Sequence, residues 1–145
     1  MTKFIARGGK LLIYHGWSDP GIPPQNAVNY YQSVLAATPD KKAARESVRA
    51  FMVPGMGHCG GGFGPNAFGN TGGSPGDAER DILNALDRWV EKGTPPDKLI
   101  GAGKVPDDPA RNLTRPLCVY PQAARYKGSG DPYDAANFEC AAGQR

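Results

Sequence analysis

Two residues in this sequence have types and settings suited to proton-transfer chemistry. Asp19 lies in Tyr14-His15-Gly16-Trp17-Ser18-Asp19-Pro20-Gly21-Ile22-Pro23-Pro24. His58 lies in Pro54-Gly55-Met56-Gly57-His58-Cys59-Gly60-Gly61-Gly62. A carboxylate bonded to one ring nitrogen of a histidine fixes its tautomer and stabilises the imidazolium. The other ring nitrogen can then take a proton from an alcohol and return it to a leaving group. An Asp and a His so placed are two members of a nucleophilic triad, and the missing member is a serine hydroxyl. Read alone, His58 is an ordinary structural hydrogen-bonder in a glycine-rich loop. The elements around it decide between the two readings.

Those elements follow from the apolar pattern. Leu11-Leu12-Ile13-Tyr14 is a short continuous apolar run, as in a strand buried on both faces of a parallel sheet. It ends in the Gly/Pro-dense segment that carries Asp19, where no regular element survives. From about Pro24 to Ala37, Ala27, Tyr31, Val34 and Leu35 recur at helical spacing, and prolines precede them. The stretch 40–47 is polar. Val48-Arg49-Ala50-Phe51-Met52-Val53 predicts a second strand, running into the His58 loop. A long loop follows. Ser74-Pro75-Gly76-Asp77 predicts a helix start, with Ser74 as the cap and acids near the positive end of the helix dipole. Ile82, Leu83, Leu86, Trp89 and Val90 form one stripe, and Gly93 is placed to end the helix. Beyond Leu99-Ile100-Gly101-Ala102, the sequence reads as a tail of turns.

The order is strand, Asp loop, helix, strand, His loop, helix. Consecutive strand–helix units imply parallel strands joined by right-handed crossovers, with chemistry at their carboxyl edge. Two parallel strands cannot cover their own faces and edges. An exposed sheet edge is therefore expected near residues 11–14 or 48–53. The fold class is α/β with an incomplete sheet.

Composition bounds the rest. The 145 residues include 20 glycines and 14 prolines, clustered in the loops, and the net charge is only +3. Lys41, Lys42, Arg45 and Arg49, interrupted by Asp40 and Glu46, read as a solvated helix face without the aromatics of a nucleic-acid surface. No apolar stretch approaches membrane-spanning length. Met1-Thr2-Lys3-Phe4 is expected to run into a glycine turn, without the pattern of a signal peptide. Gly60-Gly61-Gly62-Phe63-Gly64 lacks the Lys-Ser/Thr of a phosphate loop. His15, Asp19, His58 and Cys59 make a poor metal set, because adjacent His and Cys seldom converge on one ion. His15 reads as structural. Ser18, Ser33, Ser47, Ser74 and Ser129 all fall outside a strand-to-helix elbow, so no Gly-x-Ser-x-Gly elbow is expected here. Cys59, Cys118 and Cys140 make an odd count, which leaves a free thiol or a bond outside the chain. A thiol nucleophile at Cys59 is a further option, with His58 pointing the other way if the chain is extended there.

The two loop motifs, with Gly64-Pro65-Asn66, Arg115-Pro116-Leu117-Cys118-Val119-Tyr120-Pro121, Ala124-Arg125-Tyr126-Lys127-Gly128 and Phe138-Glu139-Cys140, resemble the tannase and feruloyl esterase family. The likeness spans nearly the whole chain. It implies the C-terminal part of an α/β-hydrolase fold, with the serine elbow, oxyanion hole and a large lid lying N-terminal to residues 1–145. Asp19 and His58 match the family's catalytic Asp and His. The Ser, Asp, His chain order of α/β-hydrolases agrees with Asp before His here. Cys59 matches a cysteine that the family bonds to one directly before the nucleophilic serine. Cys118 and Cys140 match a second, local disulfide. Ile22 is a weaker candidate for lining the substrate pocket. The family implies secreted or periplasmic esterases acting on small aromatic esters: feruloyl esters first, then gallate esters or terephthalate monoesters. They need no cofactor for the chemistry, although a structural calcium is common in the lid. The chain is expected to need the serine-bearing portion, or a complementing chain, as partner. The alternative is an inactive fragment or interaction module.

Overall fold

Strands β1 (Leu11–Gly16) and β2 (Val48–Val53) pair in parallel, from Leu11 opposite Val48 to Gly16 opposite Val53. The computed structural model describes residues 1–71 and 77–143. Between the two strands run helices α2 (Gln25–Ala37) and α3 (Lys41–Ser47), and helix α1 (Thr2–Ala6) precedes β1. After β2 come α4 (Ile82–Lys92) and two antiparallel pairs. Strands β3 (Lys98–Val105) and β4 (Asp108–Cys118) form the first, and β5 (Gln122–Tyr126) and β6 (Phe138–Ala142) the second.

Side chains alternate across the β1–β2 pair, as a pleated strand requires. Phe51 and Val53 join Met56, Phe68, Ile82, Ala85, Leu99 and Leu117 on one face, with Leu12 and Tyr14 packed against them. Val48 and Ala50 join Ile5, Tyr31 and Val34 on the other, with Leu11 and Ile13. Both faces are thus covered, which is why the strands read as continuous apolar runs.

The helices show what decided each boundary. Pro24 caps α2. At its far end the Lys41 ammonium donates to the carbonyls of Leu35, Ala36 and Thr38, satisfying acceptors that a helix end leaves bare. Asp40 caps α3 through the N–H groups of Lys42 and Ala43. The polar stretch 40–47 is therefore a helix. The expected solvated face holds for Lys42, which meets Glu46 in the open. It fails for Arg49, which lies on β2, largely covered, against the buried Trp89 ring and beside Asp97.

Helix α4 starts at Ile82, capped by Asp81, which accepts from Leu83 and Asn84. The expected cap Ser74 lies outside the described residues. Ile82, Ala85 and Trp89 face the core, whereas Leu83 and Val90 are exposed, so the stripe is narrower than predicted. Gly93 ends the helix in the left-handed region at φ 65°. Residues 2–6 are helical rather than a run into a turn.

The largest correction concerns the tail. Residues 98–142 form two hairpin-like pairs instead of turns. They also change the expectation of an exposed edge. Val119 bridges Phe51, and the Tyr120 N–H donates to the Ala50 carbonyl at 2.8 Å. Residues 48–53 are thereby buried apart from Arg49. The open edge is that of β1, which has no second partner strand among the described residues. No described helix is long and apolar enough to cross a membrane.

Cys118 on β4 is bonded to Cys140 on β6, a sequence separation of 22. Closing a loop of that size removes about 3 kcal/mol of unfolded-state freedom. Cys140→Ala is therefore expected to lower the unfolding free energy by about that amount in urea titration, and a reductant is expected to change the wild-type chain but not the variant.

Candidate functional site

The Asp loop leaves β1 at Gly16 and is tied at once to the neighbouring strand's exit. The Trp17 N–H donates to the Val53 carbonyl at 2.9 Å, and the Ser18 N–H to the Met56 carbonyl at 3.0 Å. This approach requires glycine at 16, where a Cβ would stand 2.1 Å from the Met56 carbonyl oxygen. The turn then closes on the Asp19 side chain. Gly21 and Ile22 donate backbone N–H groups to Oδ1 at 2.8 and 3.0 Å, an Asx-type turn.

The second carboxylate oxygen serves the other loop. His58 Nδ1 lies 2.9 Å from Asp19 Oδ2. His15 Nε2 lies 3.2 Å from the same oxygen. The Asp19 side chain is only 2% exposed, yet both of its oxygens are met. The Ile22 N–H does most to hold its carboxyl down, at about 2, with the His58 bond and the Gly21 N–H adding to it and burial opposing them. An ionised carboxylate can only accept, so His58 carries its proton on Nδ1. Nε2 is then the basic nitrogen, on a side chain that is 56% exposed.

The His loop is held by its own backbone. Met56 bridges Gly62, and the Gly57 N–H donates to the Gly61 carbonyl at 3.1 Å. Gly55 takes φ 70°, and a Cβ there would meet the Phe63 carbonyl oxygen at 1.6 Å. Two asparagines brace the loop from below. Asn66 donates to the Gly62 carbonyl and Asn70 to the Cys59 carbonyl, at 2.9 and 3.1 Å. Sequence reasoning did not single out Asn70; an Asn among glycines, able to bond backbone at short range, was the available signal.

The structure brings Asp19, His58, Cys59 and Ile22 to one cleft of about 170 Å³, with Tyr14 and His15. Ile22 stands 45% exposed at its rim. Cys59 is a free, exposed thiol at φ 61°, so the chain is not extended at His58-Cys59. Burial pushes the Tyr14 phenol up, and the Cys59 thiol nearby adds to this. Among the described residues no three His, Cys, Asp or Glu are grouped to hold a metal ion.

One string, Gly72-Gly73-Ser74-Pro75-Gly76, does spell Gly-x-Ser-x-Gly, which corrects the expectation that no such pattern occurs. It lies outside the described residues. Its chemistry is unsuited to an elbow: the residue after the nucleophile must lend its N–H to the oxyanion hole, and Pro75 has none. It also follows the Asp and the His in the chain instead of preceding them.

The model of the family described as tannase and feruloyl esterase matches residues 1–141. This chain belongs to the tannase and feruloyl esterase family. It is 43% identical to an uncharacterized esterase of Xanthomonas campestris, over 97% of this chain and 27% of that protein. It is equally 43% identical to a mono(2-hydroxyethyl) terephthalate hydrolase of Piscinibacter sakaiensis, over 98% of this chain and 21% of that one. Among solved structures, feruloyl esterase B of Aspergillus oryzae superposes with a TM-score of 0.83 at 33% identity, covering 96% of this chain and 28% of that chain. The chain thus spans about a quarter of the length of the relatives it matches. The β1–β2 pair is part of an α/β-hydrolase sheet.

The Asp19 carboxyl titrates lower in the folded chain than its ordinary 3.8. The stability it contributes is complete above about pH 4 and is lost as the pH falls toward about 2. The difference in urea midpoint between the wild-type chain and Asp19→Asn is therefore expected to shrink over that window. A difference that stays constant down to pH 2 contradicts the ionised, bonded carboxylate.

Proposed function

We propose that this family member carries the acid–base pair of a serine-type carboxylic ester hydrolase for aromatic esters, feruloyl esters foremost. Gallate esters and terephthalate monoesters come next. The observation that supports this most is the His58 Nδ1 to Asp19 Oδ2 bond of 2.9 Å, which leaves Nε2 as the base.

The reaction follows from that geometry. His58 Nε2 takes the proton of a serine hydroxyl as its oxygen bonds to the ester carbonyl carbon. The tetrahedral intermediate collapses by breaking the carbon–alkoxide bond, and the imidazolium gives its proton to the departing alcohol. Water, deprotonated by the same nitrogen, then releases the acid and restores the serine. Asp19 keeps the tautomer and stabilises the imidazolium at each step. No cofactor enters the balance.

The serine comes from a portion of the protein beyond residues 1–145. Cys59 supports this, as an exposed thiol beside the base that is available to bond a cysteine next to that serine. The cleft's size supports it too. At about 170 Å³ it is smaller than the roughly 300 Å³ at which small-molecule pockets begin, so further walls, the lid among them, complete it around Ile22. The Cys118–Cys140 bond suits a secreted or periplasmic protein.

The chain alone is expected to show no turnover of p-nitrophenyl acetate or methyl ferulate. Turnover abolished by Ser74→Ala would place the nucleophile within the chain instead. Grafted in place of the matching segment of the Aspergillus oryzae enzyme, it is expected to support methyl ferulate hydrolysis. There, His58→Ala is expected to cut kcat by about 10⁶-fold. Hydrolysis that survives this substitution sinks the proposal.

A further inference from the structure

We infer that His15 is a positioning residue whose Nε2–H pins the 19–22 turn to β1 and so keeps Asp19 Oδ2 on His58. The inference rests on the reading of Asp19 and His58 as an acid–base pair and deepens it.

The His15 ring is 16% exposed and points into the site from the strand. Its Nε2 has two oxygen neighbours: the Ile22 carbonyl at 3.1 Å and Asp19 Oδ2 at 3.2 Å. Both oxygens are acceptors only, so Nε2 must carry a hydrogen. That hydrogen goes to the Ile22 carbonyl, with the carboxylate alongside. Ile22 is therefore gripped at both ends of its backbone. Its N–H holds Asp19 Oδ1 at 3.0 Å, and its carbonyl is held by His15.

The contacts form one chain, from His15 to Ile22, from Ile22 to Asp19, and from Asp19 to His58. Its fixed end is secure, because His15 sits opposite Met52 in the parallel ladder. Its other end is exposed. The two N–H groups on Oδ1 come from the turn itself and move with it. Backbone ties hold the near side of the turn, at Trp17, at Ser18 and from the Asp19 N–H to the Gly16 carbonyl at 3.3 Å; among the described contacts His15 links the strand to the far side, at Ile22. Without that donor the turn can swing, and Oδ2 loses one of its two imidazole neighbours. His58 is then no longer obliged to keep its proton on Nδ1, and its Nε2 ceases to be reliably the basic nitrogen. A buried carboxylate stripped of a partner also costs more than an exposed one.

The chain contains only two histidines, so long-range ¹H–¹⁵N correlation spectra can read both tautomers at neutral pH. The expected native state is His15 protonated on Nε2 and His58 on Nδ1. His15→Phe keeps a flat ring and removes the donor, and His58 is expected to lose its single Nδ1–H tautomer. His15→Gln places an amide N–H near the same point and is expected to restore it. A bare Nε2 on native His15 overturns the inference. So does a His15→Phe chain that melts lower yet keeps His58 wholly as Nδ1–H, since His15 would then be merely structural. Should His15→Phe fail to fold, the native tautomer of His15 decides alone. None of these spectra needs turnover. An inactive graft with the expected tautomers would sink the esterase reading and leave this one, and an active graft with a bare His15 Nε2 would do the reverse.

Discussion

The site depends on one constraint: two parallel strands must end side by side, with their exit loops in van der Waals contact. Gly16 opposite Val53 sets that level. The Ser18 N–H on the Met56 carbonyl then locks one loop to the other. A side chain at 16 would collide with that same carbonyl. Everything on the cleft side follows from this contact. Asp19 and His58 are 39 residues apart in sequence, yet they need only short reaches from adjacent strand ends to meet. The ladder that sets this spacing is buried on both faces, by the α1–α2 side and the α4–β4 side.

The second determinant is a complete set of donors on a carboxylate with almost no water. Burial alone would push Asp19 toward neutrality. The Ile22 and Gly21 N–H groups and the His58 Nδ1–H reverse that, and the charge survives. Because the charge survives, the tautomer of His58 is settled by the site and not by solvent. The electrostatics thus come from backbone geometry. Two of the donors are N–H groups delivered by a turn that Pro20 within it and Pro23 after it restrict in φ.

Asp19 and His58 were legible because each lies in a local signal: an apolar run that stops at a Gly/Pro-dense loop. The parallel β1–β2 pair and α2 were legible for the same reason, since their patterns are complete within one segment. What the sequence hid was long-range. Residues 98–142 are rich in Gly, Pro and charge, and pairing between distant segments, Leu99 with Leu117 and Ala124 with Cys140 among them, turns them into strands. Arg49 reads as solvated from spacing alone, because spacing carries no sign that the Trp89 ring, forty residues on, lies against its guanidinium. Residues 40–47 lacked an apolar stripe, and α3 owes its start to a cap, Asp40, rather than to periodicity. His15 looked structural because its partner, the Ile22 carbonyl, is backbone and has no sequence signature.

The distribution of order bears on how such a chain can work. The core closes around Phe51, Met56, Phe68 and Trp89, all fully or almost fully buried. The apolar side chains left in the open include Trp17 and Ile22, on the Asp loop, and Phe63, on the His loop, at 46%, 45% and 78% exposure. Of these, Ile22 lines the Asp19–His58 cleft, while Trp17 and Phe63 line separate hollows on either side of the two loops. The edge of β1 beside them is likewise unpaired among the described residues. The part of the molecule that sets Asp19 against His58 is the well-buried part, and the exposed apolar side chains lie on the loops beyond it. Acid–base geometry is thus fixed by local backbone contacts and does not wait for the rest of the site.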